Sequence, residues 1–290
     1  MPRTQPKPQD SAIEVVTEPQ EILLERDEFA SADYLNPYAK LPHIQALRGT
    51  SDDNCGYFIT VDQMAKAGWW DFESYQLTTY TYESSGNQEQ GLMLSNPRML
   101  VCLKSPLLGF DRKATLEEEQ LVIVGQWKRQ YKEIENIGNC QFYEVILLNS
   151  DNKPLHSVPL SYVAKGANQA TFSQEWQKLI DKITVCHAIT NGIAARPKDS
   201  RFNALCVFSF STKREIVGKK QKSFACRVVN HEVPNLDNWR NYFVGFNHII
   251  KDQVFEGLQP TKPLIIPGET VEVTALPGNL DDDNSSVRRS

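Results

Sequence analysis

The sequence lacks the apolar segments that membrane-spanning and exported proteins carry. No apolar run approaches the roughly 18 residues that a helix needs to span a bilayer. The first sixteen residues, MPRTQPKPQDSAIEVV, hold no apolar stretch typical of a signal peptide. These absences favour a cytoplasmic protein. The 40% apolar content of the 290 residues is sufficient for a sizeable core.

The sequence also lacks the signatures of common enzymes and metal sites. It contains no GxxxxGK(S/T) phosphate loop, no GxGxxG after a strand, no GxSxG and no HExxH. The six cysteines form no CxxC pair and the five histidines are scattered, so buried reduced thiols are expected rather than zinc ligands. We therefore expect no metal and no cofactor, and the sequence disfavours an enzyme.

Two runs of adjacent carboxylates are better explained by local structure than by catalysis. Asp52 and Asp53 lie in a polar TSDDN stretch that is typical of a turn. The run from Glu117 to Glu119 is interpreted as the acidic first turn of a helix that begins near Thr115. The dipole at that end of a helix favours negative charge.

Charge is unevenly distributed along the chain. The formal net charge is -5, but residues 1–33 hold three basic and eight acidic side chains, and residues 265–290 hold two basic and five acidic ones. The body between them is mildly basic, and residues 191–230 alone hold nine basic and two acidic residues. Such asymmetry often accompanies nucleic-acid binding, although solvated loops and tails give the same pattern.

Alternating apolar residues and turn signals predict a chain made mainly of strands. Residues 75–103 contain two or three strand-like runs broken by SSGNQEQG and SNPR. Residues 142–164 have the pattern of a hairpin that turns at Asp151–Pro154. We expect two segments around these strands to be helical, one in the middle of the chain and one near its end.

The first of these helices is predicted at Thr171–Asn191. Thr171 and Gln174 match a capping box, and Trp176 and Ile180 lie on one apolar face, where both should be buried. Residues 235–258 resemble a closing helix that Asp237 or Asn235 could cap and that Gly245 weakens.

Several strands, a helix and a further hairpin follow the order of an OB-fold barrel. We therefore predict a β-rich α+β fold, an OB-like or related small β-barrel with packed helices. Residues 1–33 are expected to be a flexible acidic segment, residues 34–264 a single globular β-rich domain, and residues 265–290 a flexible acidic tail.

The most basic stretch, KREIVGKKQKSF at Lys213–Phe224, lies between two strand-like runs and is predicted to be a hairpin loop. Gly218 suits the turn because glycine tolerates positive φ. In an OB fold, the loop between the last two strands helps to grip an oligonucleotide. Five cations are therefore predicted to contact phosphates: Lys213, Arg214, Lys219, Lys220 and Lys222.

Two neighbouring stretches are rich in aromatic residues that could stack on unpaired bases. Tyr80 and Tyr82 lie on one face of an extended strand, and the polar residues before them on that face predict that both are exposed. Trp69 and Trp70 are further candidates. Packing in the core explains most of these aromatic residues equally well.

Four stretches carry a resemblance to a known family. LPHIQALRG, AGWWDF, LSNPRMLVCLKSPLL and VGKKQKSF resemble an uncharacterised (domain of unknown function) family of cyanobacterial chromosomes, plasmids and mobile elements, over roughly Tyr34 to Phe246. That family has no assigned activity, so the resemblance implies no catalytic residue. In architecture the chain is also similar to OB-fold single-stranded-DNA-binding proteins with acidic tails. It departs from their apolar C-terminus, because NSSVRRS follows its acidic DDD.

Three functions stay open. The first is binding of single-stranded nucleic acid, with DNA favoured over RNA, in replication or recombination of a plasmid or phage-like element. The second is a non-enzymatic interaction or assembly module, whose basic loop docks an acidic protein partner or supports a homo-oligomer. The third is an enzyme whose site is assembled from dispersed residues.

Overall fold

The structure, a computed structural model, describes residues 41–49, 51, 54–82, 85–118, 120–218 and 222–260. The two segments predicted to be flexible, residues 1–33 and 265–290, lie outside the described residues. Lys219 and Lys220 of the basic loop and the Asp52–Asp53 pair also lie outside them.

Strands make up most of the regular structure. They are β1 His43–Leu47, β2 Gly56–Thr60, β3 Thr78–Thr81, β4 Gln88–Leu94, β5 Arg98–Leu103, β6 Leu108–Asp111, β7 Ile123–Gln126, β8 Ile137–Leu147, β9 Leu160–Lys165, β10 Val207–Val217 and β11 Ser223–His231. The α-helices are α1 Val61–Lys66, α2 Arg112–Glu117, α3 Gly166–Thr190, α4 Ser200–Asn203 and α5 His248–Leu258. Among these residues, no helix combines the length and the apolar character needed to cross a membrane.

All eleven strands of the described chain join one open sheet in a mixed α/β architecture. The order is β11-β10-β5-β8-β9-β1-β2-β4-β3, and β6 pairs with both β7 and β8. The β1–β9 pair is parallel, whereas β8–β9 and β10–β11 are antiparallel hairpins. The prediction of many strands and few helices is confirmed. The predicted OB-like barrel is wrong, because the sheet does not close.

The edge of β11 is bonded by α3 instead of by another strand. Asn168 Nδ2 donates to the Cys226 carbonyl at 2.9 Å, and the Val228 N–H donates to Thr171 Oγ1 at 3.1 Å. Two side chains of a helix thus satisfy main-chain groups that a further strand would need for closure. This is the physical reason that the sheet ends at β11.

The sheet curves so that β2 approaches β10 near the start of α3. Tyr57 on β2 lies edge-on to Phe210 on β10, with ring centroids 5.3 Å apart. The Tyr57 hydroxyl hydrogen-bonds that of Tyr162 at 3.0 Å, and Tyr162 donates to Asn168 Oδ1. These buried polar atoms are paired within the core, where an unsatisfied group would cost about 1–3 kcal/mol.

The hydrophobic core is centred on the inner face of α3. Phe172 is fully buried, and its ring lies edge-on to Tyr143 and Phe208, with centroid distances of 5.0 and 5.4 Å. Trp176 and Ile180 are also buried, as the helical spacing of the sequence predicts. The apolar face of this helix is therefore confirmed.

The predicted start of α3 is wrong. The helix begins at Gly166, and Lys165 at its N-cap makes no side-chain capping bond. Thr171 lies inside the helix, where its hydroxyl donates to the Ala167 carbonyl at 3.0 Å. A threonine with a glutamine three residues later thus occurs here without a capping box, because Thr171 lies in the second turn of the helix and not at its N-cap.

The acidic run at Glu117 also has a different position from the predicted one. Helix α2 begins after Asp111, whose carboxylate accepts hydrogen bonds from the N–H groups of Lys113 and Ala114. Glu117 is the last residue of this helix. The helix dipole therefore does not explain its charge.

The predicted closing helix is half its expected length. Residues Trp239–Tyr242 and Val244–Phe246 form short 3-10 turns, and only His248–Leu258 is α-helical. Asn247 caps that helix by accepting hydrogen bonds from two N–H groups of the first turn. The capping residue lies after Gly245, so the earlier Asn235 and Asp237 do not start the helix.

Thr171→Val tests the bond that ends the sheet, because it keeps the side-chain shape but removes the acceptor of the Val228 N–H. The buried N–H would lose its partner, so we expect the free energy of unfolding to fall by about 1–3 kcal/mol. Chemical denaturation of the full chain measures this. Gln174→Ala is the control on the same helix: Gln174 is exposed, and its change should stay within about 0.5 kcal/mol. If Gln174→Ala instead lowered the free energy of unfolding more than Thr171→Val, the capping-box interpretation would be restored.

Candidate functional site

The tip of the β10–β11 hairpin gathers four cationic side chains of the described chain: Lys213, Arg214, Lys222 and Arg227. Lys213 and Lys222 are exposed. Gly218, at the end of β10, has a φ of 101°, which confirms its expected suitability for the turn. The sequence adds Lys219 and Lys220 between the two strands.

The two faces of this hairpin tip differ in character. On one face Lys213 is opposite Arg227, and such like-charge neighbours repel. Arg227 Nη1 pairs with Glu215 Oε2 at 2.6 Å, which offsets part of the repulsion. On the other face Ile216 is directly opposite Phe224. One face of the tip is therefore charged, and the other carries two large apolar side chains together with Arg214.

Arg214 lies on the same face of the hairpin as Ile216 and Phe224. Its guanidinium lies over the ring of Phe224, with Cζ 3.3 Å from the ring centroid. Its Nε donates to the carbonyl of Gly49, in the loop after β1, at 3.0 Å. Phe224 is 38% exposed and Ile216 is 61% exposed. The tip thus presents an aromatic ring with a cation already stacked on it.

Phe224 and Ile216 are exposed because the hairpin extends past the start of α3. Asn168, in the first turn of that helix, bonds β11 at Cys226, and Thr171 bonds it at Val228. Phe224 lies two residues further toward the tip, beyond these contacts. Sequence reasoning missed both apolar residues as site candidates. The sequence does contain a signal for them, because both lie among the charged residues of the same run.

Tyr80 and Tyr82 are not exposed, so that expectation is wrong. Their side chains retain 5% and 3% exposure, and their rings lie edge-on, 5.1 Å apart. Tyr80 packs 5.6 Å from the ring of Phe58. The Tyr82 hydroxyl accepts from Gln45 Nε2 at 2.6 Å and donates to Glu89 Oε2 at 2.7 Å. Both tyrosines are therefore core residues, and neither ring offers a face to a base.

The two tryptophans have opposite environments. Trp69 is fully buried, edge-on to Tyr75 at 5.3 Å, so it cannot stack on a base. Trp70 is 79% exposed. Trp70 is three residues after Ala67, whose carbonyl accepts hydrogen bonds from the β8–β9 loop. Among the described residues, no hydrogen bond or ring contact joins Trp70 to the hairpin. The structure does not bring either tryptophan to the basic tip.

The basic segment at residues 191–230 does not form one patch. Lys198 lies over the ring of Phe202 and Arg201 over that of Phe255, with distances of 5.5 and 4.8 Å to the centroids. Both cations precede β10, whereas the tip follows it. The eleven residues of β10 span about 33 Å at the usual rise of a strand. The cations near α4 are therefore separate from those of the tip.

The cysteines fit the expected role of buried thiols. All six are free and buried, and burial raises the pKa of Cys102 to about 11 and that of Cys140 to about 12. Such thiols are poor nucleophiles at neutral pH. In the part of the chain that the structure describes, no three His, Cys, Asp or Glu side chains are close enough to hold a metal ion.

Comparison with known proteins gives a family and no activity. The family model for a domain of unknown function, DUF5895, matches residues 39–276, and the chain belongs to this family. No curated protein and no solved structure matches the chain significantly. The expected resemblance to an uncharacterised family is thus confirmed. Its cyanobacterial association and the likeness to OB-fold proteins stay expectations.

Substitution of the adjacent tryptophans should separate the buried from the exposed candidate. Trp69→Ala removes a large core side chain, so we expect the free energy of unfolding to fall by about 3–5 kcal/mol. Trp70→Ala changes an exposed residue and should stay within about 0.5 kcal/mol. Urea denaturation of the two full-length variants measures both. Equal destabilisation would contradict the burial of Trp69 and the exposure of Trp70.

Proposed function

We propose that the chain binds single-stranded nucleic acid, DNA in the first instance, through the tip of the β10–β11 hairpin. The observation that best supports this proposal is the exposed ring of Phe224 within a cluster of cations. Proteins that bind single strands combine positive charge that follows the backbone with aromatic rings on which bases stack. The hairpin tip offers both elements within a few residues.

The roles of the side chains follow from their chemistry. Lys213 and Lys222 are exposed ammonium groups that would neutralise phosphates, together with Lys219 and Lys220 of the same loop. Phe224 would stack on one base, and the guanidinium of Arg214 behind the ring would hold it in place. None of these contacts reads the edge of a base, so binding should tolerate many sequences.

The proposed cellular setting derives from the family resemblance. A binder of single strands in an element of plasmid or phage type would act in replication or recombination, where unpaired DNA is transiently exposed. Such a role would be carried out in the cytoplasm.

A second candidate function is an assembly module that docks an acidic protein partner. The exposed apolar side chain of Ile216 beside Phe224 favours it, because an apolar centre surrounded by charge is typical of protein interfaces. The two functions make different demands on the ligand. A flexible polyanion of any sequence satisfies the first, whereas the second requires a partner with a fitted apolar surface.

Lys213→Glu combined with Lys222→Glu should weaken binding of a single-stranded oligonucleotide at least about tenfold near physiological salt. The slope of log affinity against log salt should flatten by about 0.7 for each lost phosphate contact. Fluorescence anisotropy over a salt series measures both. Lys113→Glu with Lys182→Glu is the matched control, since both lysines are exposed and the charge change is identical. If the wild type does not bind the oligonucleotide even at low salt, the nucleic-acid proposal fails and the assembly-module function takes its place.

Phe224→Ala should weaken the same binding by about 1–3 kcal/mol if one base stacks on the ring, and the salt slope should not change. Phe224→Tyr keeps the ring and should retain most of the affinity. Circular dichroism of each variant confirms that the hairpin is intact. A loss of affinity accompanied by a flatter salt slope would show that Phe224 acts only by positioning Arg214.

A further inference from the structure

The segment Trp127–Lys132, with the sequence WKRQYK, interleaves aromatic and cationic side chains. It follows β7, which pairs with β6, and it continues into the 3-10 turn Arg129–Glu133. Lys128, Arg129 and Lys132 are exposed, and none of them forms an ion pair within the described residues. Acidic residues follow in the sequence only from Glu133 onward, so the segment itself has an excess of positive charge.

The two aromatic rings of the segment form a pair outside the core. Trp127 and Tyr131 lie edge-on with ring centroids 5.7 Å apart, and both are partly exposed. In the part of the chain that the structure describes, neither ring packs against a buried apolar cluster. Gly109 on β6 makes room for Tyr131, because a Cβ atom there would lie 3.1 Å from two carbons of the ring. The pair is thus held at the surface, where rings are available to stack on bases.

The start of helix α3 lies between this segment and the β10–β11 hairpin. On one side, Gly109 is directly opposite Asn139, whose Nδ2 donates to Gln169 Oε1 at 2.7 Å. On the other side, Asn168 Nδ2 donates to the Cys226 carbonyl of β11. A helix with its side chains is about 10–12 Å across, so the segment and the hairpin tip flank the helix within reach of one nucleic-acid strand.

The surface between the two basic clusters carries no negative charge in the first two turns of α3. Ala170 is exposed there, and Ala167 and Ser173 are half-buried. The first carboxylate in the sequence of the helix is Glu175, which is paired with Lys178 and with the ring of His231. A polyanion that crosses the start of the helix would therefore meet small uncharged side chains.

We propose that the Trp127–Lys132 segment is a second contact for the single strand that the hairpin tip binds, an inference that rests on the proposed function. Lys128, Arg129 and Lys132 would neutralise phosphates, and Trp127 would stack on a base. Two contacts on one polyanion raise the effective concentration of each at the other, so the affinity should exceed that of the tip alone.

Fluorescence anisotropy with a labelled single strand of about 20 nucleotides, longer than the roughly 4–16 that such sites occupy, tests the inference. Lys128→Glu with Arg129→Glu should weaken binding at least about tenfold near physiological salt and flatten the salt slope by about 0.7 per lost phosphate contact. Lys153→Glu with Lys182→Glu is the matched control, because both lysines are exposed, the charge change is identical, and neither lies in the segment or the tip.

Trp127→Ala should weaken the same binding at least about fivefold without changing the salt slope, whereas Trp127→Phe keeps a ring and should retain most of the affinity. Circular dichroism shows whether each variant is folded. The Lys128 and Arg129 variant changes exposed residues only, so it decides the matter if Trp127→Ala does not fold. Photo-crosslinking with a strand that carries 4-thiothymidine should label peptides that contain Trp127 as well as peptides of the tip.

The outcomes separate this inference from the proposed function. If Lys213→Glu with Lys222→Glu weakens binding and Lys128→Glu with Arg129→Glu does not, the second contact is wrong and the proposed function stands. If the wild type does not bind the strand at low salt, both fail. If Trp127→Ala keeps the affinity but abolishes a self-association that sedimentation detects in the wild type, the surface belongs to an interface with a second copy, and the inference is overturned.

Discussion

The hydrogen bonds between α3 and the edge of β11 are the constraint on which the architecture depends. A sheet of eleven strands that curves this far would leave an exposed edge or close on itself. Asn168 and Thr171 provide another solution, since their side chains bond the Cys226 carbonyl and the Val228 N–H. The helix thereby fills the space that a closing strand would occupy, and its apolar face supplies the core of the curved sheet.

The same contact between α3 and β11 determines which side chains of the hairpin are exposed. Because α3 bonds β11 only from Cys226 onward, the residues nearer the tip have no helix beneath them. Ile216 and Phe224 continue the alternation that buries Phe208 and Phe210 further along β10, but they lie beyond the core. The exposed apolar pair is thus a consequence of strand length. Long hairpins that project past their support are a common way to present side chains to a partner.

The hairpins and the apolar face of α3 could be predicted from the sequence, because both depend on local patterns. Turn residues such as Asn152 and Gly218 have the positive φ that their loops require, and Trp176 and Ile180 follow helical spacing. Barrel closure could not be predicted in this way. It depends on whether β11 meets a strand or a helix, and no local pattern distinguishes these two partners.

Exposure of the aromatic residues was the least predictable part of the site. Tyr80 in β3 and Tyr82 just after it have polar neighbours, yet both are buried. Tyr80 packs against Phe58, and the Tyr82 hydroxyl bonds Gln45 and Glu89. Trp69 and Trp70 are adjacent in sequence and have opposite environments. Burial of a ring depends on contacts distant in sequence, whereas the charge of a loop is already visible in its residues. This difference explains why the cations were found and the aromatic partner was not.

The charges of the hairpin are segregated along its length. At the base of the hairpin Glu232 pairs with Arg98 of β5 at 3.1 Å, whereas Lys213 and Lys222 at the tip are exposed. From Ser209 to Val217 the strand extends about 26 Å at the usual rise per residue. The Debye length at physiological salt is about 8 Å, so charges at the two ends of the hairpin are largely screened from each other. The carboxylate at the base of the hairpin therefore does not weaken the positive potential around the lysines of the tip.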